Sequence, residues 1–149
     1  MKRIVSLLLF VVLCFGVSGC FFMPMTPDPE SGLAYTIVKT ENRVEISVSD
    51  LGASKWTLID TLIDVMERAK TDGDLTFEIS GGMVTSIEGK ANAADFSACW
   101  MLYTSDAEMS NTEWGTITVG EKTLGSAIVG AEALPVVVGA LYVWDYQSF

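Results

Sequence analysis

The stretch Thr57–Lys70 constrains the fold most, because it is the one segment after the N-terminus with a sustained helical period. Its apolar side chains recur at the spacing that places them on one face of an α-helix. These side chains are Leu58, Leu62, Val65, Met66 and Ala69. Thr57, followed three residues later by Asp60, predicts a capping box at the start of the helix. An isolated amphipathic helix needs a sheet to cover its apolar face.

The rest of the chain from Leu33 onward supplies strand-like segments for such a sheet. Eight runs alternate apolar and polar residues as half-buried strands do. They are Leu33–Lys39, Arg43–Ser49, Leu75–Ser80, Met83–Glu88, Phe96–Tyr103, Gly115–Val119, Thr123–Leu124 and Val136–Tyr146. Phe96–Tyr103 has large side chains on both faces, which predicts a central strand. Together with the helix, this order predicts an α+β domain of the ubiquitin-like β-grasp type, with one main helix packed on a mixed sheet.

The N-terminus has the pattern of a bacterial lipoprotein signal peptide. Lys2 and Arg3 precede the apolar run Ile4–Phe15, which is too short to span a bilayer as a helix. The following Val17-Ser18-Gly19-Cys20 resembles the lipobox, whose cysteine receives diacylglycerol. We therefore predict that residues 1–19 are removed and that Cys20 is the lipid attachment site. The alternative is an ordinary signal peptide with an incidental cysteine.

The predicted organisation has three parts: a signal peptide (1–19), a lipidated tether (20–32) and one domain (33–149). The tether contains Pro24, Pro27 and Pro29, which favour a stiff extended segment without a core of its own. The expected location is extracytoplasmic, on a membrane of the bacterial cell envelope, held there by acyl chains. The formal net charge of −10 argues against nucleic acid as a partner, because phosphate binding depends on Lys and Arg.

The composition also argues against an enzyme. The chain has no histidine, which removes the commonest general base and the usual zinc ligand. The three cysteines have no metal-binding spacing, and Cys99, on a predicted buried strand, is interpreted as a small hydrophobic residue. Asp72-Gly73-Asp74 predicts a solvated turn, since the ligand series of a calcium loop is absent. We expect no catalytic residue, no resident metal and no cofactor.

Five segments occur in the order seen in the DUF4430 domain family. They are Thr57–Leu62, Phe77-Glu78, Val84–Ala91, Trp100–Tyr103 and Gly139–Trp144. DUF4430 domains are similar to the C-terminal β-domain of transcobalamin and intrinsic factor. The resemblance implies a β-grasp fold and one face of a corrinoid (cobalamin) as ligand. In transcobalamin-like proteins the other corrinoid face rests on a separate helical domain, which this chain lacks, so a surface or transporter protein is the implied partner.

Two aromatic residues and one short stretch are the candidate ligand contacts. Trp114 lies in a polar region where packing explains a large aromatic poorly; it is predicted to contact a ligand or, alternatively, to staple its loop to the sheet. Tyr103 lies on the strand face opposite Trp100, which is predicted to be core. Leu124-Gly125-Ser126 resembles the family loop that faces the corrinoid.

The leading expectation is a membrane-anchored surface lipoprotein whose non-enzymatic domain binds a partner protein or a small ligand. One alternative is a corrinoid-binding component of vitamin uptake. Another is a structural envelope or adhesion module whose edge strands pair with another chain.

Overall fold

A computed structural model describes residues 32–52 and 60–149, and these residues form one helix and nine strands. The helix, α1, spans Leu62–Asp72. The strands are β1 Leu33–Lys39, β2 Arg43–Leu51, β3 Phe77–Ser80, β4 Met83–Ile87, β5 Lys90–Ala91, β6 Ala98–Thr104, β7 Ser110–Val119, β8 Lys122–Ala127 and β9 Leu141–Ser148. Every predicted strand run overlaps one of these strands. The predicted signal peptide, most of the tether and the lipid site Cys20 lie outside the described residues.

The strands form two separate sheets. The main sheet has six strands in the order β1-β2-β9-β6-β8-β7, and a small sheet has the order β3-β4-β5. All strand pairs in both sheets are antiparallel. Asn92 joins the sheets: its side chain donates to the Val84 carbonyl at 3.1 Å and accepts from the Trp100 N–H at 2.9 Å.

The prediction of a β-grasp domain with a mixed sheet is therefore wrong. The hairpin that follows the helix does not join the main sheet, and no parallel pair occurs among the described strands. Alternation along a strand reveals which side chains face the core, but it does not specify which strand is the neighbour. The structure contains the predicted hairpins and a single helix, and β6 is an internal strand as predicted. These elements nevertheless assemble into a mostly β architecture.

The helix buries the face that its sequence predicts but begins later than expected. Leu62, Val65, Met66 and Ala69 are completely buried against the main sheet. The helix is capped by Thr61 and not by Thr57, and the Asp64 carboxylate accepts the Thr61 N–H at 2.9 Å. Thr57 and Leu58 lie outside the described residues. Gly73, at a φ of 84°, ends the helix in the left-handed conformation that favours glycine.

The segment 131–135 forms hydrogen bonds with the first turn of the helix. The N–H groups of Leu62 and Ile63 donate to the carbonyls of Leu134 (2.8 Å) and Ala131 (3.0 Å). These N–H groups have no partner within the helix itself, so the segment satisfies donors that the helix start leaves open. Pro135 forms only an isolated bridge with Thr61.

The main core fills the space between the helix, one face of the main sheet and the small sheet. Ile46 and Tyr142 are completely buried there, and Phe77 contributes from the small sheet. Trp100 belongs to the same core, as predicted, and its indole N–H donates to the Lys90 carbonyl at 2.7 Å. No helix among the described residues has both the length and the apolar character that a membrane crossing requires.

The opposite face of the main sheet is covered in part by the curvature of the sheet itself, while Val38 on the same face is 52% exposed. Arg43 on β2 donates from Nη1 to the Thr118 carbonyl on β7 at 3.4 Å, although three strands separate β2 from β7 in the sheet order. The sheet therefore curls until its two halves approach each other over this face. A second apolar cluster lies inside the curl; its members are Tyr103, Ile117, Leu124 and Val143.

Candidate functional site

The predicted contact residue Trp114 lies on a bulge in the edge strand β7. Asn111 pairs with Ser126, but the next pair along the strands joins Thr116 to Gly125, so residues 112–115 loop out of the ladder. The Asn111 side chain accepts the Glu113 N–H at 2.8 Å and closes the first turn of this loop. We call residues 112–115 the β7 bulge.

The β7 bulge presents Trp114 to solvent. The residue is 64% exposed, whereas Trp100 and Trp144 are each 5% exposed. An indole ring gains free energy when it leaves water, and single large aromatic residues of this kind often dominate the energy of protein interfaces. The alternative prediction, that Trp114 staples its loop to the sheet, does not fit a side chain that remains mostly in water.

Tyr103, the second predicted contact, lies beneath the bulge. It is 3% exposed, and its hydroxyl is 3.5 Å from the position that a Cβ on Gly115 would occupy. Burial raises the pKa of the Tyr103 phenol, and Asp145 adds to that rise, while a hydrogen bond with Gln147 opposes it. Tyr103 thus supports the bulge from below as a neutral phenol, and a ligand on the surface would not reach it without displacing the bulge.

The predicted stretch Leu124-Gly125-Ser126 is part of strand β8 and also lies beneath the bulge. Leu124 is completely buried, and Ser126, the direct strand partner of Tyr103, is 5% exposed. Gly125 allows the bulge to approach closely, because a Cβ there would lie 3.0 Å from the Ser110 Cβ. The structure therefore brings all five predicted residues together, with Trp114 outside and the other four underneath. Direct contact between those four and a ligand stays a prediction.

Charged and polar groups near the cluster inside the curl pair with one another. Arg43 Nε lies 2.7 Å from Asp145 Oδ1, and Gln147 Nε2 donates to Asp145 Oδ2 at 3.1 Å. Half-buried Cys99 has its Sγ 3.7 Å from the Met101 thioether. Within residues 32–52 and 60–149, no three side chains of the metal-binding types come together. Of these three contacts, the Arg43–Asp145 pair joins β2 to β9, whereas the other two lie within β9 and within β6. None of the three pairs a nucleophile with a base.

Sequence reasoning missed a polar cluster at the other edge of the main sheet. The Tyr35 hydroxyl lies 2.8 Å from both Asp72 Oδ2 and Asp74 Oδ2. Burial raises the pKa of the Tyr35 phenol above its ordinary value of 10.0, and hydrogen bonds to the two carboxylates raise it further. The signal in the sequence was Asp72-Gly73-Asp74, but nothing local indicates that a tyrosine 37 residues before Asp72 meets that turn.

A second missed feature is the turn before β6. Phe96, which was predicted to begin that strand, instead has a φ of 57° and a side chain that is 57% exposed. The Phe149 N–H donates to the Ser97 carbonyl at 2.9 Å, and Phe149 is 76% exposed. Two exposed phenylalanines therefore lie at the same end of the main sheet. Their sequence context resembles that of core residues, so hydropathy alone did not identify them.

Comparison of the chain with known protein families, with curated proteins and with solved structures found no match.

Proposed function

We propose that this chain is a lipid-anchored protein of the bacterial cell envelope whose domain binds a partner protein through Trp114 and the β7 bulge. The observation that carries the proposal is the 64% exposure of Trp114 on a bulge whose underside is packed. Because an indole side chain has only two rotatable torsions, a partner can bury it at a small cost in conformational entropy.

The anchoring part of the proposal depends on the N-terminal sequence. The apolar run, the two small residues and Cys20 occur in the order that the lipobox requires. Because acyl chains contribute about 0.8 kcal/mol for each buried CH₂, a multiply acylated Cys20 would hold the domain firmly to a membrane. We further propose that the protein is not an enzyme, since the sequence has no histidine and no nucleophile motif.

Membership of the DUF4430 family and binding of cobalamin stay predictions. They are supported by the sequence resemblance alone, because the β-grasp fold that it implied is not the fold of this chain. Titration of the purified chain with cobalamin, followed by visible absorption and tryptophan quenching, tests this alternative. A saturable change in the visible absorption of cobalamin that disappears in Trp114→Phe would favour corrinoid binding over a protein partner at the bulge.

Site-specific photo-crosslinking tests the proposed contact. A photoreactive phenylalanine analogue replaces Trp114 in cells that produce the protein, and in a control it replaces Glu121, which is exposed in the turn between β7 and β8. We expect a discrete crosslinked species from position 114 and none of the same mass from position 121. No adduct from either position, or the same adducts from both, would contradict a specific contact at the bulge.

A further inference from the structure

Strand β1 forms one end of the main sheet, and part of its backbone faces away from the sheet. The Thr40 N–H donates to the Arg43 carbonyl at 2.8 Å, which fixes the register of the β1–β2 hairpin. In an antiparallel pair, alternate residues direct their N–H and C=O groups to the neighbouring strand. By this alternation Thr36 faces β2, whereas the backbone groups of Tyr35 and Ile37 point outward. Within the described part of the chain, no hydrogen bond reaches these outward groups.

The outward groups open into a pocket of about 390 Å³ beside β1. One wall is β1 itself, and the other is formed by Gly73 and Asp74, where the chain turns after α1. A neighbouring strand in a sheet lies about 4.8 Å away. An additional strand of the main sheet would run along this outward side of β1, where the pocket lies.

The charges at this pocket are incompletely balanced. Asp72 is paired with Arg68 (2.9 Å), and Glu88 is paired with Lys39 (3.1 Å). The Asp74 carboxylate has only the Tyr35 phenol as a hydrogen-bond partner among the described residues. That phenol has one proton, yet two carboxylate oxygens lie within hydrogen-bond distance of it. Asp72 also accepts from Arg68, so among the described residues Asp74 depends on this one shared proton, and an incoming Lys or Arg side chain would give it a donor of its own.

We propose that the β1 edge binds an extended basic peptide, which adds to the main sheet as a further strand. Strand addition of this kind obtains affinity from backbone hydrogen bonds and specificity from side-chain pockets. Charged residues and prolines protect sheet edges from pairing, and β1 has neither from Leu33 to Val38. Its one charged residue is Lys39 at its end, whose ammonium donates to the Asp74 carbonyl at 2.8 Å. The inference does not depend on the Trp114 site, which lies at the opposite edge of the same sheet.

Two other occupants fit less well. A second copy of this chain would bring its own Asp72 and Asp74 to the edge, and each copy has a net charge of −10. The predicted tether is acidic and contains Pro24, Pro27 and Pro29, and proline cannot donate to a strand ladder. A basic peptide without proline can both pair with the Asp74 carboxylate and form hydrogen bonds with the outward backbone groups of β1.

Fluorescence anisotropy with the full chain in neutral detergent tests the proposal. The probe is a labelled nine-residue peptide in which lysine alternates with valine. One comparison peptide has glutamate in place of lysine, and another has proline in place of valine. We expect saturable binding of the lysine–valine probe alone. Asp74→Asn should weaken it by about threefold to fivefold, the scale of a partly exposed ion pair. Glu121→Gln, which removes the same charge elsewhere, should leave it unchanged.

Amide hydrogen exchange separates strand addition from simple charge attraction. On binding of the probe, the N–H groups of Tyr35 and Ile37 should become protected, whereas Thr36, which already bonds to β2, should not change. Equal binding of the glutamate or proline peptide, equal weakening by Glu121→Gln, or absence of new protection would overturn the proposal. So would a dimer of the unliganded chain in sedimentation, since a second copy would then occupy the edge.

Discussion

Tyr142 links strand β9 to the end of the segment 131–135, which bonds to the first turn of the helix. Its side chain is completely buried, its hydroxyl accepts the Val137 N–H at 2.7 Å, and it donates to the Pro135 carbonyl at 3.0 Å. Burial raises the pKa of this phenol above its ordinary value of 10.0, so the hydroxyl keeps its proton and remains a hydrogen-bond donor at neutral pH. Both backbone partners would lose their hydrogen bonds if the hydroxyl were removed.

We predict that Tyr142→Phe lowers the free energy of unfolding by about 1–3 kcal/mol, the usual cost of leaving buried polar groups without partners. Urea denaturation followed by tryptophan fluorescence measures this loss. The matched control is Tyr146→Phe, which removes a single hydrogen bond, to the Ala91 carbonyl at 3.1 Å, and this bond is exposed to solvent. A loss from Tyr142→Phe no larger than that from the control would show that the hydroxyl does not hold the segment.

Asp72 makes the free energy of unfolding depend on pH in the acidic range. Hydrogen bonds from Arg68 and then from Tyr35 hold the pKa of its carboxyl below the ordinary 3.8. A carboxyl with a lowered folded-state pKa contributes stability that is present above its unfolded-state pKa and is lost as the pH falls through its folded-state pKa. For this partly exposed pair the contribution is about 0.2–1 kcal/mol.

The expected result is a melting temperature that decreases below about pH 4 and does so less steeply in Asp72→Asn. Thermal unfolding by circular dichroism, measured from neutral to acidic pH, provides the test. Because the chain has no histidine, side-chain titration should leave the melting temperature nearly constant between about pH 6 and pH 7. An identical acid dependence in the variant and the parent protein would contradict the role assigned to Asp72.

At the scale of elements, the β7 bulge depends on a glycine in the neighbouring strand. A Cβ on Gly125 would lie 3.0 Å from the Ser110 Cβ and 3.2 Å from the backbone nitrogen of Thr112. Since the second contact is with backbone, the crowding is relieved only by movement of the bulge.

Gly125→Ala should therefore lower the free energy of unfolding by about 1–3 kcal/mol, as overpacking of a tight site does. Chemical denaturation measures the loss, and Thr123→Ala on the exposed side of β8 is the control, expected within about 0.5 kcal/mol of the parent. The change should also shift the fluorescence emission of Trp114. Full stability in Gly125→Ala would mean that the bulge is not closely packed on β8.

Local patterns predicted the elements better than their boundaries, and α1 shows why. The sequence contains Thr-Leu-Ile-Asp twice in succession, at 57–60 and at 61–64, so two identical capping signals stand four residues apart. The structure caps the helix at the second, where the carbonyls of Ala131 and Leu134 accept the first helical N–H groups. That choice depends on a segment about 70 residues away, which no local pattern reveals.

The candidate site was predictable to a similar degree. Alternation along β6 placed Tyr103 and Trp100 on opposite faces, and both placements are confirmed. It did not reveal that part of the second face is also covered, because the curl brings together strands that are distant in the sheet order, as the contact between Arg43 and Thr118 shows. The polar cluster around Tyr35 also required the assembled sheet. Pairing order and curvature are properties of the whole sheet, and each strand contains little information about them.

For the whole molecule, the N-terminal sequence makes a direct prediction about location. Cys20→Ala should move most of the protein from the membrane fraction to the soluble fraction, because the acyl chains that anchor it would have no attachment site. Fractionation of cells that produce the parent and the variant, with immunoblotting of each fraction, measures this change. Ser18→Ala, which keeps a small residue before the cysteine, should remain with the membranes. A Cys20→Ala protein that still sediments with membranes would contradict lipid anchoring.

We propose that the fold holds Trp114 in solvent and that a partner covers it in the cell. Oxidative footprinting with mass spectrometry compares the labelling of Trp114 in the purified full chain with its labelling in the same protein on intact cells. Trp100 and Trp144, each 5% exposed, serve as internal controls and should be labelled weakly in both. We expect strong labelling of Trp114 in the purified protein and clear protection on cells, with exposed Phe149 labelled similarly in both. Weak labelling of Trp114 in the purified protein, or equal labelling in both settings, would contradict this proposal.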